Sequence, residues 1–408
     1  MKSGTPGFVA SRLREAREAR ALTGIALAEM VGVSRQAISN YEIGRGSPRP
    51  EVLRKISDVL NVPPHRFSMP THTSESKTLF FRSMSAATKT ARSRAHARYR
   101  WLREIVDELS QYVEFPAVNF PNFDVPSDPS QLSSDDIERY AMEARRFWGM
   151  GGAPISNVVW LLENNGAIVA RDQLASDTLD AFSEFVQDEQ RPYIVLGADK
   201  ASALRSRFDA AHELGHLILH KNVDRSRLAS TLDFKRIEDQ AHWFAGAFLL
   251  PAKTFTQELY CLTMDTLKGL SLKWKVSMGA MIKRAANLEI ISEEKAQRLW
   301  IQRSRLGYNK KEPLDGQLPI EEPRVLLRSM ELCLSTSGLQ PSQILFDLAL
   351  AINDVQALCG LPETLLSEHR IEVSEPAVHM LDTSKLSPNA RLPDGGLAEI
   401  KQFPSGRK

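Results

Sequence analysis

Apolar residues recur every three or four positions along most of this chain, the spacing that gathers them on one face of an α-helix. Between residues 8 and 68 the pattern breaks into short helical stretches, closed by Val62-Pro63-Pro64 and followed at 71–76 by a polar stretch that reads as a linker. A longer helical pattern runs from about Ser85 to Val113 and stops in a proline-punctuated loop at Phe115-Pro116, Phe120-Pro121 and Pro126. Past Ser133 come a helix at 135–148, a glycine-rich turn at 149–152 and a helix at 155–164. The period then shortens, and runs at 167–171, 181–186 and 193–196 read as strands. Helices dominate again after Ser202. A boundary falls between Lys311 and Pro323, and two further helices precede a polar tail ending Pro404-Ser405-Gly406-Arg407-Lys408. The expected architecture is mainly α with one small α+β domain. Its segments are 8–68, a linker and connecting helix at 69–132, a mixed domain holding the three strand runs at 133–310, and a helical C-terminal region at 311–408 of no assigned role.

Composition narrows the class. With 408 residues, 42% hydrophobic and 25% charged, the chain is globular and holds two or three domains. It has no run of 18 apolar residues and no signal-peptide pattern at its start, so a cytoplasmic protein with no membrane partner is expected. Cys261, Cys333 and Cys359 lie far apart, which argues against a disulfide framework and against a cysteine-based zinc site. The net charge of +2 hides a local excess: Lys77, Arg82, Lys89, Arg92, Arg94, Arg98, Arg100 and Arg103 follow one another without an intervening acid. Such a run forms either a solvated helix face or a surface for phosphate.

Residues 26–43 carry the pattern of a helix-turn-helix, with Gly32 suited to the turn and Ser34 to the N-cap of the second helix. On that second helix Ala37, Ile38 and Tyr41 fall on one side, and Arg35, Gln36, Ser39 and Asn40 on the other. Arginine pairs with a guanine edge and glutamine or asparagine with an adenine edge, so the polar side carries the residue types of direct base readout. The segment resembles the lambda-repressor-like family, also called Cro/C1 or XRE, through Leu27-Ala28, Val31-Gly32-Val33-Ser34, Gln36-Ala37-Ile38-Ser39, Tyr41-Glu42, Gly44 and Pro48. The resemblance implies five helices, base contacts from Arg35, Gln36 and Asn40, and Arg45 beside phosphate. Gly24 departs from it, standing where the family usually places a polar residue that touches phosphate. A homodimer on paired half-sites of double-stranded DNA is the expected binding form.

His212-Glu213-Leu214-Gly215-His216 places two imidazoles one helical turn apart with a carboxylate beside them, the spacing of a metal-dependent hydrolase. Both rings can reach one ion at about 2 Å, and the glutamate can reach a water at its open position. His220 is too far along the same helix, about 12 Å from His212, to share that ion, and it is left to cap or pack. A downstream acid remains. Glu238 opens a helical stretch whose Ala241, Ala245 and Gly246 are small enough for close packing, and two histidines with a glutamate make a hydrolytic zinc set.

These residues resemble the ImmA/IrrE metallopeptidases, through Arg207-Phe208, the run from Ala210 to Leu217, His220, and Glu238 with Ala241, Phe244 and Ala245 leading to Leu250-Pro251. The resemblance implies a zincin-like domain with a three-stranded sheet, His212, His216 and Glu238 as metal ligands, and Glu213 as general base; zinc is the expected ion and manganese the alternative. His242 departs from the family's usual Asn or Asp, which alters a residue beside the ligands. For the oxyanion partner, Tyr193 and His242 are both candidates. The stretch from Leu267 to Leu288 resembles the helical segment that commonly follows the peptidase core in this family, and Phe80-Phe81-Arg82 with the basic helix after it resembles what precedes the peptidase in long fused members.

Reader and cutter in one chain point to a transcriptional regulator that binds a DNA operator. Its zinc peptidase domain would cleave a repressor, a partner or itself on a signal. The alternative is a non-catalytic DNA-binding regulator, such as the antitoxin of a toxin–antitoxin pair, that holds its partner on the peptidase fold.

Overall fold

The computed structural model describes residues 4–71, 88–176, 179–199, 202–228, 230–259, 261–309, 311–336 and 338–367. Most of the polar linker, the basic residues Lys77 and Arg82, the Phe80-Phe81-Arg82 stretch, the expected helix start at Ser85 and the C-terminal tail lie outside them. Two compact units divide the described residues. One comprises those of Met1–Thr73, Ser93–Pro116 and Arg324–Lys408, and the other those of Ser74–Arg92 and Ala117–Pro323.

The first unit opens with α1 (Ala10–Ala19), α2 (Gly24–Val31), α3 (Arg35–Glu42) and α4 (Pro50–Leu60). Local chemistry sets their ends. Thr23 caps α2 by accepting from the Ala26 N–H at 3.1 Å, and Ser34 caps α3 by accepting from Ala37 at the same distance. Between them Gly32 turns the chain at φ +76°, a left-handed conformation that a side chain would strain. Pro50 starts α4 at the position where its missing N–H is harmless. In place of a fifth α-helix the chain makes a 3-10 helix, Pro64–Ser68, because five residues starting at the second proline of a pair are too few to repay α-helix nucleation. Leu13, Leu27, Ile38, Ile56 and Leu60 fill the core, each contributing about 1.5–3 kcal/mol by leaving water. Helix α5 (Lys89–Leu109) adds the buried residues Trp101, Leu102, Ile105 and Leu109.

The second unit begins its regular structure with α6 (Ser134–Phe147), held by a capping box between Ser133 and Asp136, and α7 (Val158–Asn164). Strands β1 (Ile168–Asp172), β2 (Ala181–Val186) and β3 (Arg191–Gly197) then form a sheet in the order β1-β3-β2. β1 runs parallel to β3, with Ala170 opposite Val195, while β2 runs antiparallel to it, with Ser183 opposite Ile194. Helices α8 (Ala203–Leu219), α9 (Arg225–Leu228) and α10 (Thr231–Leu249) follow, then α11 (Ala252–Glu258), α12 (Met264–Trp274), α13 (Met278–Asn287) and α14 (Glu293–Arg305). The core joins Val169, Ile194 and Leu196 of the sheet to Ala211, Leu214 and Ile218 of α8 and Phe244 and Phe248 of α10. The segment that follows α14 packs back on this unit. Glu312 accepts from Met278 and Gly279 at the start of α13, and Glu321 accepts from Val158 and Val159 at the start of α7 while pairing with Arg207.

The chain then returns to the first unit as α15 (Val325–Thr336), α16 (Pro341–Leu348) and α17 (Ile352–Cys359). Asp354 of α17 pairs with Arg98 of α5 at 2.8 Å and with Arg20 at 2.6 Å. Glu15 accepts from Arg66 at 2.8 Å and from the Trp101 indole at 2.9 Å, and Glu104 accepts from Arg66 at 2.5 Å. The reading of the basic run as an open face is corrected at Arg98 and Arg103, which are buried, Arg98 against the sequence-distant Asp354, while Lys89 and Arg92 are exposed. Among the described residues no helix is long and apolar enough to cross a membrane. The mainly helical fold with a small mixed domain and a three-stranded sheet agrees with the expectation from sequence.

Candidate metal centre

Helical pitch puts His212 and His216 on one face of α8. Gly215 lies between them, and a Cβ there would meet the Ala241 carbonyl and the Phe244 ring at 3.2 Å, so α10 approaches α8 at glycine distance. That approach delivers Glu238. It stands two turns into α10 and not at the helix's opening, since Ser230 caps the helix by accepting from Asp233, upstream of the stretch that the spacing suggested.

His212 Nε2 lies 3.0 Å from His216 Nε2, and each nitrogen is 3.5 Å from a Glu238 carboxylate oxygen. Tetrahedral zinc, bound at about 2.0–2.1 Å, requires ligand atoms about 3.3 Å apart. The donor set fits on chemistry as well as distance: lone pairs of three groups converge on one point, which a shared cation satisfies and water-free packing does not. Burial would push the Glu238 carboxyl up, but the His212 and His216 rings hold it far below the usual carboxylate range.

A chain of hydrogen bonds selects the nitrogen that His216 offers. Gln240 donates through Nε2 to the carbonyls of Pro129 (2.7 Å) and Leu132 (3.3 Å), so its Oε1 is left to accept from His220 Nε2 at 3.1 Å. His220 then accepts at Nδ1 from His216 Nδ1, 3.1 Å away, and the bare nitrogen of His216 is Nε2, on the metal side. His220 is buried at the end of α8, and burial beside His216 lowers its pKa to about 3, which keeps it neutral.

Glu213 is buried, and Ser183 of β2 donates to its Oε2 at 2.7 Å. Burial raises its pKa from 4.5 to about 7, against the opposing pull of His212 and the Ser183 hydroxyl. His242 follows Glu238 by one turn at the solvent-facing mouth of the site, its Nδ1 3.0 Å from the Glu238 carbonyl. Its ring lies 4.4 Å from that of His212, and donor atoms of His212, Glu238 and His242 all lie within 4.8 Å of one another. Although it meets solvent, the protein atoms crowded around its ring and the His212 imidazole lower its pKa to about 4. Tyr193 is a different case: it is buried, and its hydroxyl is engaged by Glu189.

His212, Glu213, His216 and Glu238 thus come together. Ser183, Gln240 and the linking role of His220 were missed; only His220 left a trace in sequence, by continuing the four-residue spacing. On α3, Arg35, Gln36 and Ser39 are exposed and Asn40 is half-buried, with Gln36 donating to Asn40 at 3.0 Å. Ile38 is buried beneath them and Arg45 is exposed beyond the helix.

Residues 13–67 match the family model described as helix-turn-helix, and residues 166–286 match a peptidase family model described as the IrrE N-terminal-like domain. The second span contains the sheet, the paired histidines and Glu238. A search of curated proteins finds no match to the chain.

Proposed function

Because the chain joins a helix-turn-helix DNA-binding domain to an IrrE-like peptidase domain, we propose that it is a transcriptional regulator whose zinc peptidase site cleaves a repressor, a partner protein or itself in response to a signal. The observation that carries this reading is the convergence of His212, His216 and Glu238 beside a buried Glu213, in the same chain as an exposed polar face on α3. It acts as a cytoplasmic homodimer. Arg35, Gln36, Ser39 and Asn40 read base edges of a double-stranded operator, and Arg45 meets phosphate.

His212, His216 and Glu238 hold the ion, zinc by preference and manganese as the alternative. Bound there, such an ion supplies a Lewis acid for the peptide carbonyl and lowers the pKa of water toward about 7. Glu213 is the general base. Ser183 occupies its Oε2, so Oε1 takes the proton of the attacking water and later returns it to the leaving amine.

The test is intact-mass spectrometry of the full-length protein, alone and mixed with the products of neighbouring genes, with zinc or manganese and with Glu213→Gln as control. Metal-dependent fragments are expected, slowed by about 10²–10⁴-fold in the variant, which keeps its metal. Bound metal with no fragment from any pairing overturns the peptidase reading.

A further inference from the structure

We infer that His242 is a fourth protein ligand of the metal centre, so that the resting site is a three-histidine, one-carboxylate set closed by a side chain instead of by water. The inference rests on the reading of this site as a metal centre and concerns how it is filled. A tetrahedral ion takes four donors, and His212, His216 and Glu238 provide three. His242 comes from the same face of α10 as Glu238, one turn later, and its donor belongs to the group within 4.8 Å that includes His212 and Glu238. The His212 ring is flanked on two sides in nearly the same way, by His216 at 4.6 Å and 84° and by His242 at 4.4 Å and 72°.

Orientation supports the same assignment. The Glu238 carbonyl can only accept, so the His242 nitrogen 3.0 Å away, Nδ1, carries the proton and Nε2 keeps its lone pair for a ligand. A helix-carbonyl bond of this kind is how ligating imidazoles are usually fixed in one tautomer.

Burial separates His242 from the other donors. His212 and His216 are buried, whereas His242 is exposed, with a hydrogen bond within its own helix and the His212 and Phe208 rings beside it. It is the donor that leaves at least cost, so the site has a closed state with four side-chain ligands and an open state in which the ring has swung out and water or substrate enters. Sites with four protein ligands are of the structural kind and those with an open position of the hydrolytic kind. His242 therefore decides which kind this chain presents.

The experiment loads full-length wild type, His242→Ala, His242→Asn and Glu213→Gln with cobalt(II) and records visible absorption, with zinc affinity measured by chelator competition. Wild type and Glu213→Gln are expected to give the intense bands of four-coordinate cobalt. Both His242 variants are expected to give weak bands of a water-bound ion of higher coordination. Residues that only orient a ligand are worth about 10–100-fold in metal affinity, so losing a direct ligand should weaken zinc by about tenfold or more. Spectra and affinities that do not change in either His242 variant overturn the inference and leave the metal centre standing. The same unchanged spectra with cleavage lost would make His242 a transition-state partner and equally overturn it. Failure of wild type to bind one equivalent of cobalt removes the metal centre itself, and this inference with it.

Discussion

Which nitrogen of a histidine is left bare is decided by what the other nitrogen touches, and at His216 that decision is made by groups outside the candidate site. Two backbone carbonyls fix the Gln240 amide, the amide fixes His220, and His220 fixes His216. His220→Phe keeps the ring's volume and removes both of its nitrogens. Zinc affinity is expected to fall about 10–100-fold, measured by chelator competition, with the helical circular dichroism unchanged. The histidine pair, Glu213 and Glu238 were legible in the sequence because helical spacing alone puts the pair on one face and asks for an acid downstream. Ser183 and Gln240 were not, since their roles arise from contacts 30 and 20 positions away along the chain, where no local period operates.

At the level of elements, the closest approach in the site is that of α8 and α10 across Gly215. Alanine there brings a helix-propensity gain that opposes the clash, whereas valine forces the helices apart. Gly215→Val should cost about 1–3 kcal/mol in thermal stability and weaken zinc binding by drawing Glu238 away, while operator binding through α3 is retained. Cleavage-independent metal titration and DNA retardation on the same preparation check both halves. The caps at Ser34 and Ser133 were readable as sequence, because a hydroxyl before an apolar period is a local signal. The burial of Arg98 was not: it meets Asp354 across 256 positions, and a row of basic residues reads as an open face until its partners are known.

That same contact lies within the first unit and joins segments far apart in the sequence. Asp354 and Glu15 would be raised by burial, but their arginine partners hold both below their ordinary values of 3.8 and 4.5. A carboxylate lowered in the folded state adds stability that is complete above its unfolded pKa and is lost as pH falls through the folded one. The first unit should therefore weaken below about pH 4. Asp354→Asn should remove about 3–5 kcal/mol at neutral pH by taking away the carboxylate that Arg20 and Arg98 share, and the gap to wild type should close as the pH is lowered in thermal melts from pH 8 to pH 3.

The unit that carries α3 is assembled from both sides of residues 117–323, and this has a topological consequence for proteolysis. A single break in the intervening stretch would turn the first unit from one polypeptide into two, joined by ion pairs and packing alone. Its folding would change from a unimolecular to a bimolecular equilibrium, and its persistence on an operator would then depend on how dilute the fragments are. A cut there need not touch α3 to loosen the unit that carries it, because dilution after the cut is enough.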